Sequence, residues 1–325
     1  MTPRSRVVMV ASVVWIAATQ VPTGTAATAD PRTGQGSRAA TDCRYHPNAF
    51  DEGDDERGFE QSVFPRDDLF RPPTADPTEM RFFSSFGWAE FQPDLSREEG
   101  FDHFIQSVVG LGGTAGLWTR RREQSCDGVQ VNIFGGAIST FAIDPLFLVN
   151  VDYYGGLSLS LKRDELSARL RVYHQSGHLG DDFLFENPGF PQEELSLEAV
   201  DVLGSVTGSW WRLYAGPGVV VRAKPTDLGR GMVRAGAEIR PERLELPIPS
   251  SRVTWAPVAA TDLLSHQARD WGVTWSSKAG IAITTARHDR HLRFLVTFLD
   301  GYMPYGVFFD AHETTQLGLE AQFVY

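Results

Sequence analysis

From about residue 80 to its last residue, the chain alternates hydrophobic and polar side chains with a period of two. A β-strand turns successive side chains to opposite faces, so this pattern predicts strand after strand, each with one apolar and one polar side. In 147–162, Val149, Val151, Tyr153, Leu157, Leu159 and Leu161 oppose Asn150, Asp152, Tyr154, Ser158, Ser160 and Lys162. In 210–224, Trp211, Leu213, Val219 and Val221 oppose Arg212, Tyr214, Gly218 and Arg222; in 232–240, Val233, Ala235, Ala237 and Ile239 oppose Arg234, Gly236, Glu238 and Arg240. Trp271, Val273, Trp275, Ala279, Ile281 and Ile283 share one side of 271–285. Further stretches lie near 80–88, 105–119, 128–142, 166–176, 194–204, 252–263, 291–300 and 314–325, and bring the count to about twelve strands.

Alternation alone also fits a soluble sandwich, whose strands typically run about five or six residues. These run roughly twice that, the length a tilted strand needs to cross a bilayer. The polar parity is rich in Arg, Glu and Asp, which suits a narrow lumen filled with charge pairs. Leu317, Leu319, Ala321, Phe323 and Tyr325 alternate to the final aromatic residue, the form of the signal read by the barrel assembly machinery of Gram-negative bacteria. The expected fold is therefore all-β: an antiparallel transmembrane β-barrel over 80–325, preceded by an irregular N-terminal segment.

That segment has two parts. Arg4 and Arg6, the apolar run 7–18, and Ala27-Thr28-Ala29 have the composition of a signal peptide over 1–29. Residues 30–79 lack periodicity; DEGDDERG at 51–58 reads as solvated, and the prolines within 64–79 exclude a long helix or central strand. They are expected to form an irregular periplasmic lead-in. An even strand count places both chain ends in the periplasm and the strand containing 166–176, the fifth, pointing outward. Cys43 and Cys126, the two cysteines of the chain, then fall on the oxidising side and are expected to pair. The net charge of −11 excludes a nucleic-acid partner.

One stretch carries candidate chemistry. In 166–182, Leu166, Ala168, Leu170 and Val172 share a parity that continues into His174, Ser176 and His178, while Arg169 and Arg171 take the other side. A histidine and a serine two residues apart on a strand point the same way, their Cα atoms about 6.5 Å apart. A serine hydroxyl becomes a nucleophile when an imidazole accepts its proton and a third group orients that imidazole. Ser176 is the candidate nucleophile and His174 the base. Asp181 and Asp182, with Glu186 nearby, follow directly and are candidates for the third member. By parity, Asp201 is expected on the lipid face and Glu198 in the lumen beside Arg169 or Arg171. A metal reading would use His174, His178 and Asp181 or Asp182, with His178, Asp181 and Asp182 as the candidate ligands beyond the pair, and requires a bend at Gly177 because His174 and His178, four apart on a strand, are separated by about 13 Å. The acidic loop could alternatively hold a divalent cation, calcium among them, bridging lipopolysaccharide phosphates.

The segment 171–182, RVYHQSGHLGDD, resembles the signature of a bacterial family known as a domain of unknown function, number twelve hundred and seven. So do Thr74-Ala-Asp-Pro77, Leu148-Val-Asn-Val-Asp-Tyr153, Leu195-Ser-Leu-Glu198, Arg212-Leu-Tyr-Ala-Gly216 and Asp300-Gly-Tyr-Met-Pro-Tyr305. The resemblance implies an outer-membrane barrel and supplies no activity; Gly177 and Asp182 stand where Ser and Glu are expected. The pair His174-Gln-Ser176 is similar to the His-x-Ser pair that outer-membrane phospholipase A and the lipid A 3-O-deacylase carry on one lipid-facing strand. The asparagine that follows the serine there is replaced here by Gly177. Two function classes stay open: an acyl-ester hydrolase acting on membrane lipid or lipopolysaccharide, and a non-enzymatic barrel that is structural, binds a ligand or cation, or forms a narrow pore.

Overall fold

The computed structural model describes residues 59–65, 68–92, 103–122, 127–187, 190, 194–224, 229–239, 246–248, 253–285, 288–308 and 312–324. The expected signal peptide, Cys43 with Cys126, and Tyr325 lie outside the described residues. Long alternating segments form long strands: β1 (Phe59–Val63), β2 (Phe82–Gln92), β3 (His103–Arg122), β4 (Gly128–Ile143), β5 (Leu146–Arg163), β6 (Leu166–Leu179), β7 (Leu195–Thr207), β8 (Trp211–Lys224), β9 (Gly231–Ile239), β10 (Leu246–Pro247), β11 (Val253–His266), β12 (Val273–Thr285), β13 (His288–Tyr302) and β14 (Glu313–Val324). A short helix, α1 (Asp181–Glu186), follows β6. Among the described residues no helix is long and apolar enough to cross a membrane.

Each wall strand pairs antiparallel with the next, and β14 pairs with β2 from Glu313↔Gln92 to Phe323↔Phe82. Closure leaves no free edge strand in the ring, so the ladders of the wall run from strand to strand around the whole circumference. Twelve strands make the ring; β1 adds to the end of β3 and β10 to β11. The expectation of twelve strands is met, with β6 the fifth in the wall. The outward parity is apolar around the circumference: Leu157, Leu159 and Leu161 on β5, Leu170 and Val172 on β6, Val219 and Val221 on β8, and Leu317 and Leu319 on β14 are exposed.

The lumen is a second core, and the described part of the expected periplasmic lead-in from residue 68 onward lies inside it. Residues 68–81 enter the lumen from the end where β14 finishes. Phe70 is fully buried, with the guanidinium carbons of Arg169 and Arg212 at 4.9 and 4.6 Å from its ring centroid. Glu79 accepts from Arg169 Nη1 at 2.9 Å and Nη2 at 2.7 Å, Asp76 pairs with Arg234, and Thr74 N–H meets Glu238. The proline-rich composition that rules out a central strand suits an irregular plug, whose backbone polar groups are met by wall side chains instead of a ladder.

The other end is capped by aromatic residues. Phe183 of α1 packs edge-on against Phe190 and Phe308, at ring-centroid distances of 5.2 and 5.8 Å. Phe147, Val149, Met303 and Tyr305 complete the buried cluster. A cavity of about 70 Å³ lies between plug and cap, with Thr78, Arg171, Tyr173, Arg234, Arg269 and Pro304 in its lining.

Candidate functional site

On β6 the outward and inward sets follow the sequence pattern. His174 is exposed and Ser176 and His178 are half-buried on the outside, whereas Arg169, Arg171 and Gln175 are buried inside. The next strand returns antiparallel after α1, in register His174↔Glu198 and Ser176↔Ser196. Residues directly opposite across an antiparallel pair share a face. Glu198 and Ser196 therefore join His174 and Ser176 in a two-by-two polar patch on the outer wall.

This reverses the expected roles of two acids. Glu198 is on the outer face, and Asp201 is inside, where its carboxylate accepts from Arg171 Nη2 at 2.6 Å and Nε at 3.0 Å. The apolar parity of β7, Leu195, Leu197, Ala199 and Leu203, is buried toward the lumen and not toward lipid. It packs there against Tyr173, Met232, Val307 and Phe70. A lumen with its own hydrophobic contents inverts the usual meaning of apolar parity.

His174 Nδ1 lies 3.6 Å from Glu198 Oε1, with the two side chains 49% and 42% exposed. The distance is ion-pair reach, a little beyond a closed hydrogen bond. It turns Nδ1 toward the carboxylate and leaves Nε2 for a hydroxyl. Ser176 is two residues along the same face, opposite Tyr153 of β5. Among the described residues its hydroxyl closes no hydrogen bond, with His174 or any other group. Val172 and Tyr153, both exposed, give the patch an apolar surround.

Asp181 and Asp182 form the exposed first turn of α1, and the acid set against His174 is Glu198 instead. His178 packs edge-on against Tyr153, their ring centroids 6.1 Å apart. Among the described residues no three His, Cys, Asp or Glu side chains gather closely enough to hold a metal ion, so His178, Asp181 and Asp182 are not assembled into one.

A bulge on β8 changes a further assignment. Glu198 pairs with Arg222 and Ala199 with Val220, so Val221 is the extra residue. The shift brings Arg222 outside beside Glu198 and Lys224 outside beside Ser196, where strict alternation would send both inward. Lys224 Nζ reaches Glu194 at 3.5 Å on the surface.

Fold and patch together define a closed, internally plugged antiparallel barrel of the membrane-spanning type, with a small polar constellation on its outer wall. The chain belongs to the family described as protein of unknown function DUF1207, whose profile matches residues 51–325. No curated protein matches the sequence. Among solved structures it is similar to the Salmonella typhi outer membrane phospholipase dimer with bound calcium, at 10% identity and a TM-score of 0.44, over 78% of this chain and 94% of that one. It is similar to outer membrane phospholipase A from Escherichia coli at 8% identity and a TM-score of 0.43, over 78% and 95%. An anion-selective porin from Comamonas acidovorans follows at 8% identity and a TM-score of 0.30, over 75% and 98%. These likenesses describe the fold alone.

Proposed function

We propose that this chain is an outer-membrane barrel of Gram-negative bacteria that hydrolyses acyl esters of membrane lipid or lipopolysaccharide on its outward face. The observation that carries the reading is the row Ser176, His174, Glu198: hydroxyl, imidazole and carboxylate on one lipid-facing surface, with Nδ1 and Oε1 3.6 Å apart. The signal-peptide composition and the orientation expected from an even strand count support exposure of the patch at the outer leaflet. Calcium is the ion to test alongside, because Asp181, Asp182 and Glu186 leave an acidic surface at that end.

In this reading His174 takes the Ser176 proton as Oγ attacks the acyl carbon, then gives it to the departing alcohol oxygen. Water, deprotonated by the same imidazole, attacks the acyl-serine; the carboxylic acid leaves and Oγ regains its proton. Glu198 remains ionised and stabilises the imidazolium, the role of the third member in such units. The mechanism needs the serine–histidine hydrogen bond to close when substrate binds, as catalytic hydrogen bonds that are long in a free enzyme do. The open hydroxyl of Ser176 is also the observation that favours the alternative, a non-enzymatic barrel.

The test is fatty-acid release from phospholipid and from lipopolysaccharide by purified protein, with and without calcium. Ser176→Ala, His174→Ala and their double mutant should fall to a common floor while the barrel assembles, because members of one unit lose activity non-additively. Absence of release from every substrate would sink the hydrolase reading; full rate in Ser176→Ala would move the activity elsewhere.

A further inference from the structure

The face of β6 opposite the hydrolase patch points to a second site. Asp152 on β5 is fully buried in the lumen. Its Oδ2 accepts from the Gly306 N–H at 2.6 Å and from Gln175 Nε2 at 3.3 Å, while Oδ1 has no partner. Beside it, the side chain of fully buried Asn150 lies against the Asp152 carboxylate but closes no hydrogen bond at either amide atom, and Thr140, directly across on β4, leaves its hydroxyl unpaired. The Tyr154 hydroxyl, next inward on β5, is also unpaired.

The other luminal acids among the described residues are compensated. Glu79, Asp76, Asp201, Glu238, Asp262 and Glu320 each face an arginine or lysine. Asp68 stands within the field of Arg169. Asp152 has no arginine, lysine or histidine ion pair among the described residues. A buried carboxylate without a counter-charge is unfavourable, and a group so placed keeps its charge only by pairing or by coordinating a metal.

We infer that Asp152, Asn150, Thr140 and Tyr154 form a luminal site for a hard, oxygen-preferring metal cation. One carboxylate and three neutral oxygen-bearing side chains suit Na⁺ or a weakly held Ca²⁺, not a soft transition metal. The glycines around it are steric requirements. A Cβ on Gly177 would lie 2.8 Å from Asp152 Oδ1 and 3.0 Å from Gly306 Cα. Gly306 has φ +65°, and a Cβ there would meet Asn150 Nδ2 at 2.8 Å. The site is thus sealed by the 3-10 turn Gly306–Phe308, whose backbone N–H is itself held by Asp152. Three of the segments that carry the family resemblance meet there: 148–153, 171–182, and 300–305 with the glycine that follows.

The test uses the full chain in detergent, stripped with chelator and held in N-methylglucamine chloride at fixed ionic strength. NaCl or CaCl₂ is titrated in and thermal unfolding is followed. A cation that binds only the folded state raises the midpoint saturably. At least one of the two ions should do so; which one fixes the charge preference. Asp152→Asn should abolish the rise, whereas Glu194→Gln, at an exposed acid, should keep it. A wild-type protein indifferent to both ions would overturn the inference in favour of a protonated Asp152, or of Asn150 and Tyr154 closing on it as donors. A saturable rise that persists in Asp152→Asn would place the cation elsewhere and overturn it equally. Should Asp152→Asn fail to fold, equilibrium dialysis of the wild type against radiolabelled Na⁺ and Ca²⁺ decides, since absence of stoichiometric uptake excludes the site.

Discussion

Across β6 and β7, His174 Nδ1 and Glu198 Oε1 face one another at 3.6 Å on the outside of the wall. The pair is half exposed, so its direct contribution to stability is small, about 0–1 kcal/mol. Its value to a neighbouring serine would be orientation of the imidazole. Glu198→Gln and Glu198→Ala should therefore leave heat-modified gel mobility and unfolding temperature unchanged while lipid hydrolysis falls, by roughly 10²-fold or more. Asp182→Ala and Asp181→Ala should retain most of the rate. A Glu198→Ala protein with full activity would remove the carboxylate from the proposed unit.

The plug makes the opposite kind of prediction. Phe70→Ala removes a fully buried ring from between Arg169 and Arg212, and should cost about 3–5 kcal/mol. Glu79→Ala leaves two buried guanidiniums short of a carboxylate, and a loss of similar size, about 3–5 kcal/mol, is expected. Equilibrium unfolding in urea with detergent would measure both. Because neither residue is near the outer patch, hydrolysis per folded molecule should be unaltered. A wild-type midpoint in both variants would mean that residues 68–81 do not occupy the lumen.

Gly177→Ala tests the packing between β6 and the turn Gly306–Phe308. Two contacts of 3.0 Å or less, one of them to backbone, must relax, and overpacking of this kind costs about 1–3 kcal/mol. Amide exchange at Gly306 should accelerate, because its bond to Asp152 is the contact displaced. Unchanged protection of that amide would show that the turn is held by its aromatic cluster alone.

The wall was legible in the sequence because lipid on one side and charge on the other impose strict alternation. Twelve strands, the outward placement of His174, Ser176 and His178, and the inward placement of Arg169 and Arg171 all follow from it. Glu198 was not legible. Its strand has Leu195, Leu197, Ala199 and Leu203 on the luminal parity, and a period-two pattern does not say whether hydrocarbon or an internal core lies on its apolar side. Arg222 was missed for a local reason, the single extra residue Val221. The plug was missed because irregular segments carry no periodicity; its hint was chemical, Asp76 and Glu79 set in a proline-rich stretch ahead of a wall whose inner face is rich in arginine.

The two stoppers of the lumen belong to different parts of the chain. One is a re-entrant loop, tethered at the mouth it enters by β1 on one side and β2 on the other, so withdrawing it breaks side-chain contacts and no hydrogen bond of the ring. The other is an aromatic lid contributed by α1 and the β13–β14 connection. They act in series, like two doors on one corridor. A passage along the lumen would require both to move.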